Sequence, residues 1–413
     1  MTSTTERSAT RVRGFTDPEL DFQLLRQLGS AVYGGASIGE PLAVAARIND
    51  NGAGWTDAFA ALAERQRSDA QARADAGHAV SARDRFLHAS NSYRAAEYFA
   101  PAGSPRHAEL GLASRAAFLE AAARLPGHVE ELWLPWADQR LPGYWCTPPD
   151  CDGAGSTLVV TSGFDGTLEE TYVQIGRAGL ERGWRVLLVC LPGQMDVTRT
   201  ERHTSFIPDT ERCMSRWLDV ALERPEVDAQ RLALLGISFG GYFVSRAAAF
   251  EPRIRALVAN SPIIDLRAYM VAFVAADLGG DPEVVLAPSD DLRLDEIDAV
   301  PDAELPPAMK EMTRSLITRF GQTSFLDTFQ YLKQFRADPA AITCPSLAMV
   351  GSGEGGEPMR QFEQFCAELA GPITRHVFTP EDGADTHCQV GNLTHSAAVV
   401  FDWLEDTLQE AER

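Results

Sequence analysis

Leu232-Ala233-Leu234-Leu235-Gly236-Ile237-Ser238-Phe239-Gly240-Gly241 reads as an apolar strand, a G-x-S-x-G turn and the start of a helical pattern. A strand-to-helix turn this tight holds the serine in strained backbone geometry and needs small residues two positions to either side. It sets the Ser238 hydroxyl above the end of a sheet, at the N-terminus of the next helix, whose dipole favours developing negative charge. The Phe239 N–H then points to where an oxyanion would form. G-x-S-x-G by itself also arises by chance as an ordinary turn. Here the flanking strand and helix are the ones a nucleophilic serine requires.

A serine hydroxyl needs a base and an acid that orients it. On a strand–turn–helix scaffold of this kind they follow the serine in the chain, each after a late strand. Of the eight histidines, His376, His387 and His395 come late enough. His376 sits inside the strand-like run Thr374 to Thr379 and His395 in the first turn of the last helix, positions that suit packing or surface. His387 falls in the polar loop Glu381-Asp382-Gly383-Ala384-Asp385-Thr386-His387-Cys388, where the base is expected. The acid position holds no aspartate. After the strand Leu347 to Gly351, the loop Ser352-Gly353-Glu354-Gly355-Gly356-Glu357 offers only glutamates. Glu354 stands at G-x-x-acid spacing and is the first choice, with Glu357, Asp382 and Asp385 as alternatives.

A second oxyanion donor is expected from the loop after an early strand, Thr161 to Glu170, with the Phe164 N–H as candidate. In that loop Thr167-x-x-Glu170 matches a capping box. Asp165 reads equally well as a pocket residue or a turn former. Tyr242, on the nucleophile helix, is a further candidate for substrate contact.

Beyond these motifs the chain divides by pattern. Residues 1–125 are Ala-, Leu-, Arg- and Glu-rich with helical spacing, and read as a lid module. Residues 126–263 alternate strands and helices, beginning with a hairpin around Ala137-Asp138-Gln139. Residues 264–343 break the rhythm with helix signals and acidic loops, as an inserted cap would. Residues 344–413 resume the alternation. Strands alternating with helices imply an α/β fold: a mostly parallel sheet with helices on both faces. In the helical module Tyr93, Tyr98 and Phe99 form an aromatic patch. Such a patch is usually core or interface, but Tyr93 is also a candidate for substrate contact.

Composition narrows the partners. The 413 residues are 45% hydrophobic and 23% charged, ordinary for a soluble globular protein, and long enough for a catalytic domain plus a further module. A formal charge of −21 weighs against nucleic acid and against an anionic membrane surface. There is no signal-peptide pattern and no apolar run long enough to span a bilayer. The seven cysteines show no CxxC pairing, which suggests neither a disulfide framework nor a zinc site. A cytoplasmic enzyme acting on a small molecule, needing no metal or organic cofactor, is the expectation.

The chain resembles the α/β-hydrolases grouped with fermentation-respiration-switch-type esterases and the 2,6-dihydroxypseudooxynicotine hydrolase. The matching segments include Ser90-Asn91-Ser92-Tyr93-Arg94-Ala95-Ala96-Glu97-Tyr98-Phe99, Gly163 with Glu169-Glu170, and Leu191-Pro192-Gly193-Gln194. They continue with the Ser238 turn and with His387-Cys388 ahead of Phe401-Asp402-Trp403-Leu404. The resemblance implies an α/β-hydrolase fold roofed by the helical module and the insertion. It also implies homodimers and activity on small acyl or ketone substrates. The expected reaction is acyl-enzyme hydrolysis of an ester or related acyl bond, as in secondary metabolism. Carbon–carbon hydrolysis of a 1,3-diketone and acyl transfer or cyclisation on the same triad are the alternatives, with a non-catalytic binding protein as a third. The carbon–carbon-cleaving relative places a cap carboxylate where this chain, from Ala268 to Ala276, has none, and Asp277 is the nearest.

Overall fold

The computed structural model describes residues 10–49, 52–201, 204–278, 291–301, 305 and 307–410. The first nine residues of the helical segment, and residues 279–290, 302–304 and 306 of the insertion, lie outside them. The helical segment consists of α1 (Pro18–Gly29), α2 (Gly39–Ala45), α3 (Trp55–Asp75), α4 (Ala79–Tyr98) and α5 (Pro105–Ala122). Starts follow local chemistry. Asp17 accepts the Glu19 and Leu20 amides ahead of Pro18, and Ser104 accepts the His107 amide ahead of Pro105. Phe15, Leu24, Trp55, Phe59 and Tyr93 form a small core of their own within this segment.

Eight strands follow: β1 (His128–Trp136), β2 (Gln139–Thr147), β3 (Gly155–Thr161), β4 (Arg185–Val189), β5 (Val227–Ile237), β6 (Ala256–Asn260), β7 (Ser346–Gly351) and β8 (Ile373–Phe378). They form one sheet in the order β1-β2-β4-β3-β5-β6-β7-β8. The β1–β2 hairpin and the β2–β4 pair are antiparallel, and all other pairs are parallel. This is the expected α/β architecture. The central strands bury almost every side chain, as a sheet covered on both faces must, and so read as continuous apolar runs.

Between strands run α6 (Leu168–Thr171) and α7 (Arg177–Glu181), joined through a π turn at Tyr172–Gly176, then α8 (Met195–Thr198), α9 (Thr210–Leu222) and α10 (Gly240–Phe250). Helical spacing over Glu169–Arg182 predicts one unbroken helix where α6, the π turn and α7 lie. A π turn adds a single residue to one helical turn, and a segment this short carries too few apolar positions to announce the shift. After β6 the insertion supplies α11 (Leu266–Leu278), α12 (Pro307–Arg319) and α13 (Phe325–Tyr331). Helices α14 (Gly356–Glu368) and α15 (Leu393–Glu410) complete the fold. Among the described residues no helix is long and apolar enough to cross a membrane.

Buried ion pairs stitch the helical segment to the sheet layer. The Arg199 side chain is 1% exposed and contacts Glu97 of α4 at 2.6 Å, Asp196 at 2.8 Å and Glu169 at 3.0 Å. Burial, opposed by Arg199, pushes the Asp196 pKa up to about 7. Arg26 of α1 reaches Glu170 at 2.5 Å and Asp165 at 3.2 Å. Glu170 therefore does not close the expected capping box. Thr167 accepts the Glu170 amide at 3.2 Å, but the Glu170 carboxylate faces Arg26, because a buried guanidinium requires a counter-charge more than an amide requires a cap.

Candidate active site

Ser238 follows β5 directly and has a left-handed φ of 60°, the strained geometry that the turn imposes. Its neighbours are small for a steric reason. A Cβ on Gly240 would meet the Thr161 carbonyl oxygen at 2.6 Å, and one on Gly163 would meet the Phe239 nitrogen at 2.7 Å. The Ser238 amide donates to the Asn260 carbonyl at the end of β6 at 2.7 Å, tying the turn to the adjacent strand.

Ser238 Oγ lies 2.9 Å from His387 Nε2, and His387 Nδ1 lies 2.6 Å from Glu354 Oε2. An ionised carboxylate only accepts, so Nδ1 carries the proton and Nε2 is left to accept from Ser238. Glu354 is itself held: Oε1 receives the Gly351 amide at 2.8 Å and Oε2 the Ser261 hydroxyl at 3.3 Å. Burial disfavours the imidazolium, but Cys388, Tyr269 and Glu354 around the ring favour it. The net effect holds the His387 pKa well above its ordinary value.

The other acid and base candidates stand elsewhere. Glu357 pairs with Arg360, although it reaches the rim of the same cavity. Asp382 caps its own turn through Thr379, and buried Asp385 accepts from Thr10. His376 and His395 face each other, ring centroids 6.0 Å apart.

These three residues open on a cavity of about 390 Å³. Phe164 and Phe239 both line it, with rings 5.4 Å apart, and so does Asp165. Two substrate-contact candidates do not. Tyr93 is buried in the core of the helical segment and gives its hydroxyl to Glu64 at 2.6 Å. Tyr242 points away along α10, giving its hydroxyl to the Pro208 carbonyl at 2.6 Å. Its position four residues after Ser238 is one helical turn on, and the face it occupies is the one packed on Phe243 and Phe335.

Sequence reasoning missed several residues of the cavity. Phe22 and Arg26 come from α1, Tyr269 and Phe273 from α11, and Met312 from α12. The Phe22 ring lies 6.4 Å from that of His387. An arginine one turn after Phe22 on an otherwise apolar helix face was the available signal. Arg319, at the end of α12, donates to the Gly193 carbonyl at 2.6 Å and stacks 4.1 Å from the Phe164 ring centre. It fastens the insertion to the loop that carries Phe164.

Comparison with known proteins agrees with this architecture. Residues 46–270, more than half of the chain, match the family model described as FrsA-like, Esterase FrsA-like. The alpha/beta hydrolase gkaG of Penicillium citrinum is 35% identical over 257 residues, which span 60% of this chain and 60% of that protein. The alpha/beta hydrolase xenA of Xenoacremonium sinensis is 28% identical over 422 aligned positions, covering 93% of this chain and 95% of that one. The crystal structure of the 2,6-dihydroxy-pseudo-oxynicotine hydrolase shares the fold, with a TM-score of 0.70 at 18% identity, over 92% of this chain and 95% of that chain. On the family match and this shared architecture, the chain belongs to the FrsA-like esterase family of α/β-hydrolases.

Proposed function

We propose that the protein is a serine hydrolase that cleaves an ester or related acyl bond in a small, partly hydrophobic molecule such as a secondary-metabolite ester or lactone. The observation that carries this reading is the continuous relay from Ser238 through His387 to Glu354, at 2.9 and 2.6 Å, opening on a cavity walled mainly by aromatic and aliphatic side chains. In this reading His387 takes the Ser238 proton as Oγ attacks the carbonyl carbon. The Phe164 and Phe239 amides hold the oxyanion. Collapse expels the alcohol, which receives its proton from His387. Water deprotonated by His387 then attacks the acyl-enzyme, and the acid leaves as Ser238 recovers its proton. Glu354 keeps the imidazole in the productive tautomer throughout.

The ester reading is favoured over carbon–carbon cleavage by the insertion. Among the described side chains, those of α11 that reach the cavity, with Tyr269, Met270 and Phe273 among them, include no carboxylate, and the side chain of Asp277 lies outside the described residues. Asp265, just ahead of α11, is bound to Arg336 at 2.7 Å.

Labelling with a fluorophosphonate probe, located by peptide mass spectrometry, tests the proposal. The adduct is expected on Ser238, absent in Ser238→Ala and strongly reduced in His387→Ala. A folded protein that reacts neither with this probe nor with the smaller phenylmethylsulfonyl fluoride would end it.

A further inference from the structure

The segment Leu191-Pro192-Gly193-Gln194 takes no part in the proton relay, yet its glutamine is bonded on every side. Gln194 is 1% exposed and does not line the cavity. Its Nε2 donates to the Ser162 carbonyl at 2.6 Å and to the Gly163 carbonyl at 3.1 Å. Its Oε1 accepts the Leu191 amide at 2.6 Å and the Thr161 hydroxyl at 3.3 Å. A carboxamide has two donor hydrogens and two acceptor lone pairs, so the group cannot turn without breaking several of these bonds.

Two of the four partners are the consecutive carbonyls ahead of Phe164. The Gly163–Phe164 peptide is trans. In a planar trans peptide the C=O and the following N–H point in opposite directions. Holding the Gly163 oxygen against Gln194 therefore turns the Phe164 N–H the other way. Ser238 stands close to that peptide, since a Cβ on Gly163 would meet its Oγ at 2.9 Å. Among the described residues neither the Phe164 nor the Phe239 N–H has a hydrogen-bond acceptor, which leaves both donors open to a ligand oxygen. The glutamine is braced in turn. Gly193 gives its N–H to Thr204 at 2.8 Å, and its carbonyl accepts Arg319 of α12 at 2.6 and 3.0 Å.

We infer that Gln194 is the positioning residue of the oxyanion site: by fixing the Ser162 and Gly163 carbonyls it aims the Phe164 N–H at the oxygen that gains charge beside Ser238. This deepens the hydrolase reading of the cavity and rests on it.

Three probes with one benzyl group test the assignment on the full-length protein. p-Nitrophenyl phenylacetate reports turnover. Benzyl trifluoromethyl ketone reports the tetrahedral state: Ser238 Oγ adds to its carbonyl carbon, the Ser238 proton passes to His387, and the carbonyl π pair moves onto oxygen as an oxyanion. Benzyl methyl ketone, too unreactive to add, reports ground-state binding. Gln194→Met is expected to lower kcat by about 10²-fold with KM within about twofold. Inhibition by the trifluoromethyl ketone should weaken by a similar factor, while inhibition by the methyl ketone stays within about twofold. The acid-limb midpoint of kcat/KM should not move, because the His387–Glu354 contact is untouched. A kcat within about threefold of wild type, a kcat loss that the trifluoromethyl ketone does not share, or a shifted acid limb would overturn the inference. If thermal unfolding shows that Gln194→Met does not fold, the near-isosteric Gln194→Glu takes its place. Its protonated carboxyl donates to only one of the two carbonyls, so parallel losses of about tenfold are expected, and wild-type values would overturn the inference. Turnover that Ser238→Ala abolishes and the Gln194 variants leave intact removes only the role of Gln194. Gln194-dependent binding of the trifluoromethyl ketone without ester turnover removes the hydrolase reading alone, and a wild type that neither turns over the ester nor binds that ketone removes both.

Discussion

The Oε2 atom of Glu354 lies 2.6 Å from Nδ1 of His387. Since Glu354 is also fixed by the Gly351 amide and the Ser261 hydroxyl, it arrives at the imidazole already oriented and cannot rotate to another partner without breaking both bonds. Glu354→Gln keeps the shape but lets the amide donate, which favours the wrong imidazole tautomer. Ester hydrolysis is expected to fall by roughly 10³- to 10⁴-fold in kcat, with KM little changed. A loss of less than about tenfold would show that another acid serves His387.

The pH dependence follows from the imidazole. A general base must be neutral to accept the serine proton, and the His387 pKa is held above its ordinary 6.5. As pH rises through that raised value, His387 loses its proton and kcat/KM increases. The acid limb of the profile is therefore expected with its midpoint above 6.5. In Glu354→Gln a group that favours the imidazolium is gone, so the residual activity should show its limb at lower pH. A wild-type limb centred below the ordinary histidine value would contradict the assignment of His387.

Arg26 joins the helical segment to the loop carrying Asp165 and to Glu170. Arg26→Met leaves the buried Glu170 carboxylate facing only the more distant Arg94. Removing one partner of a buried pair costs about 3–5 kcal/mol, far more than the pair itself contributes over an apolar replacement. Urea unfolding should show a matching fall in midpoint. The paired change Arg26→Met with Glu170→Gln should recover a substantial part of it. If the single and double variants are equally destabilised, the penalty is lost packing and not uncompensated charge.

Tyr93 and Tyr242 give the opposite expectation. Each hydroxyl is committed to a partner away from the cavity, Glu64 for one and the Pro208 carbonyl for the other. Tyr93→Phe and Tyr242→Phe should each lower stability by about 1 kcal/mol while leaving KM for an ester substrate within roughly twofold of wild type. A large KM effect in either variant would place that ring in contact with substrate after all.

Much of this was legible before any coordinates. Ser238 could be read because its turn is defined by contacts within a few residues, which leave a Gly–x–Ser–x–Gly trace in the chain. His387 and Glu354 could be read because each sits at a fixed offset from a strand end, and the strands declare themselves as apolar runs. The same local logic recovered the alternation of strands and helices and the covered, mostly parallel sheet, but not the order of strands within it. It left Tyr93, Tyr242 and Glu170 open, since their side chains could have served several partners. It also missed Phe22, Arg26, Tyr269 and Gln174, which reach the cavity from three separate parts of the chain. The sequence by itself determined the Ser238 turn, the fold class and the candidates for a base and an acid, since hydrophobic period and turn sterics are short-range. Only the tertiary structure decided which glutamate faces His387, which residues wall the cavity and which buried charges pair. Those outcomes depend on desolvation and packing between segments far apart in the chain, and no local pattern encodes them.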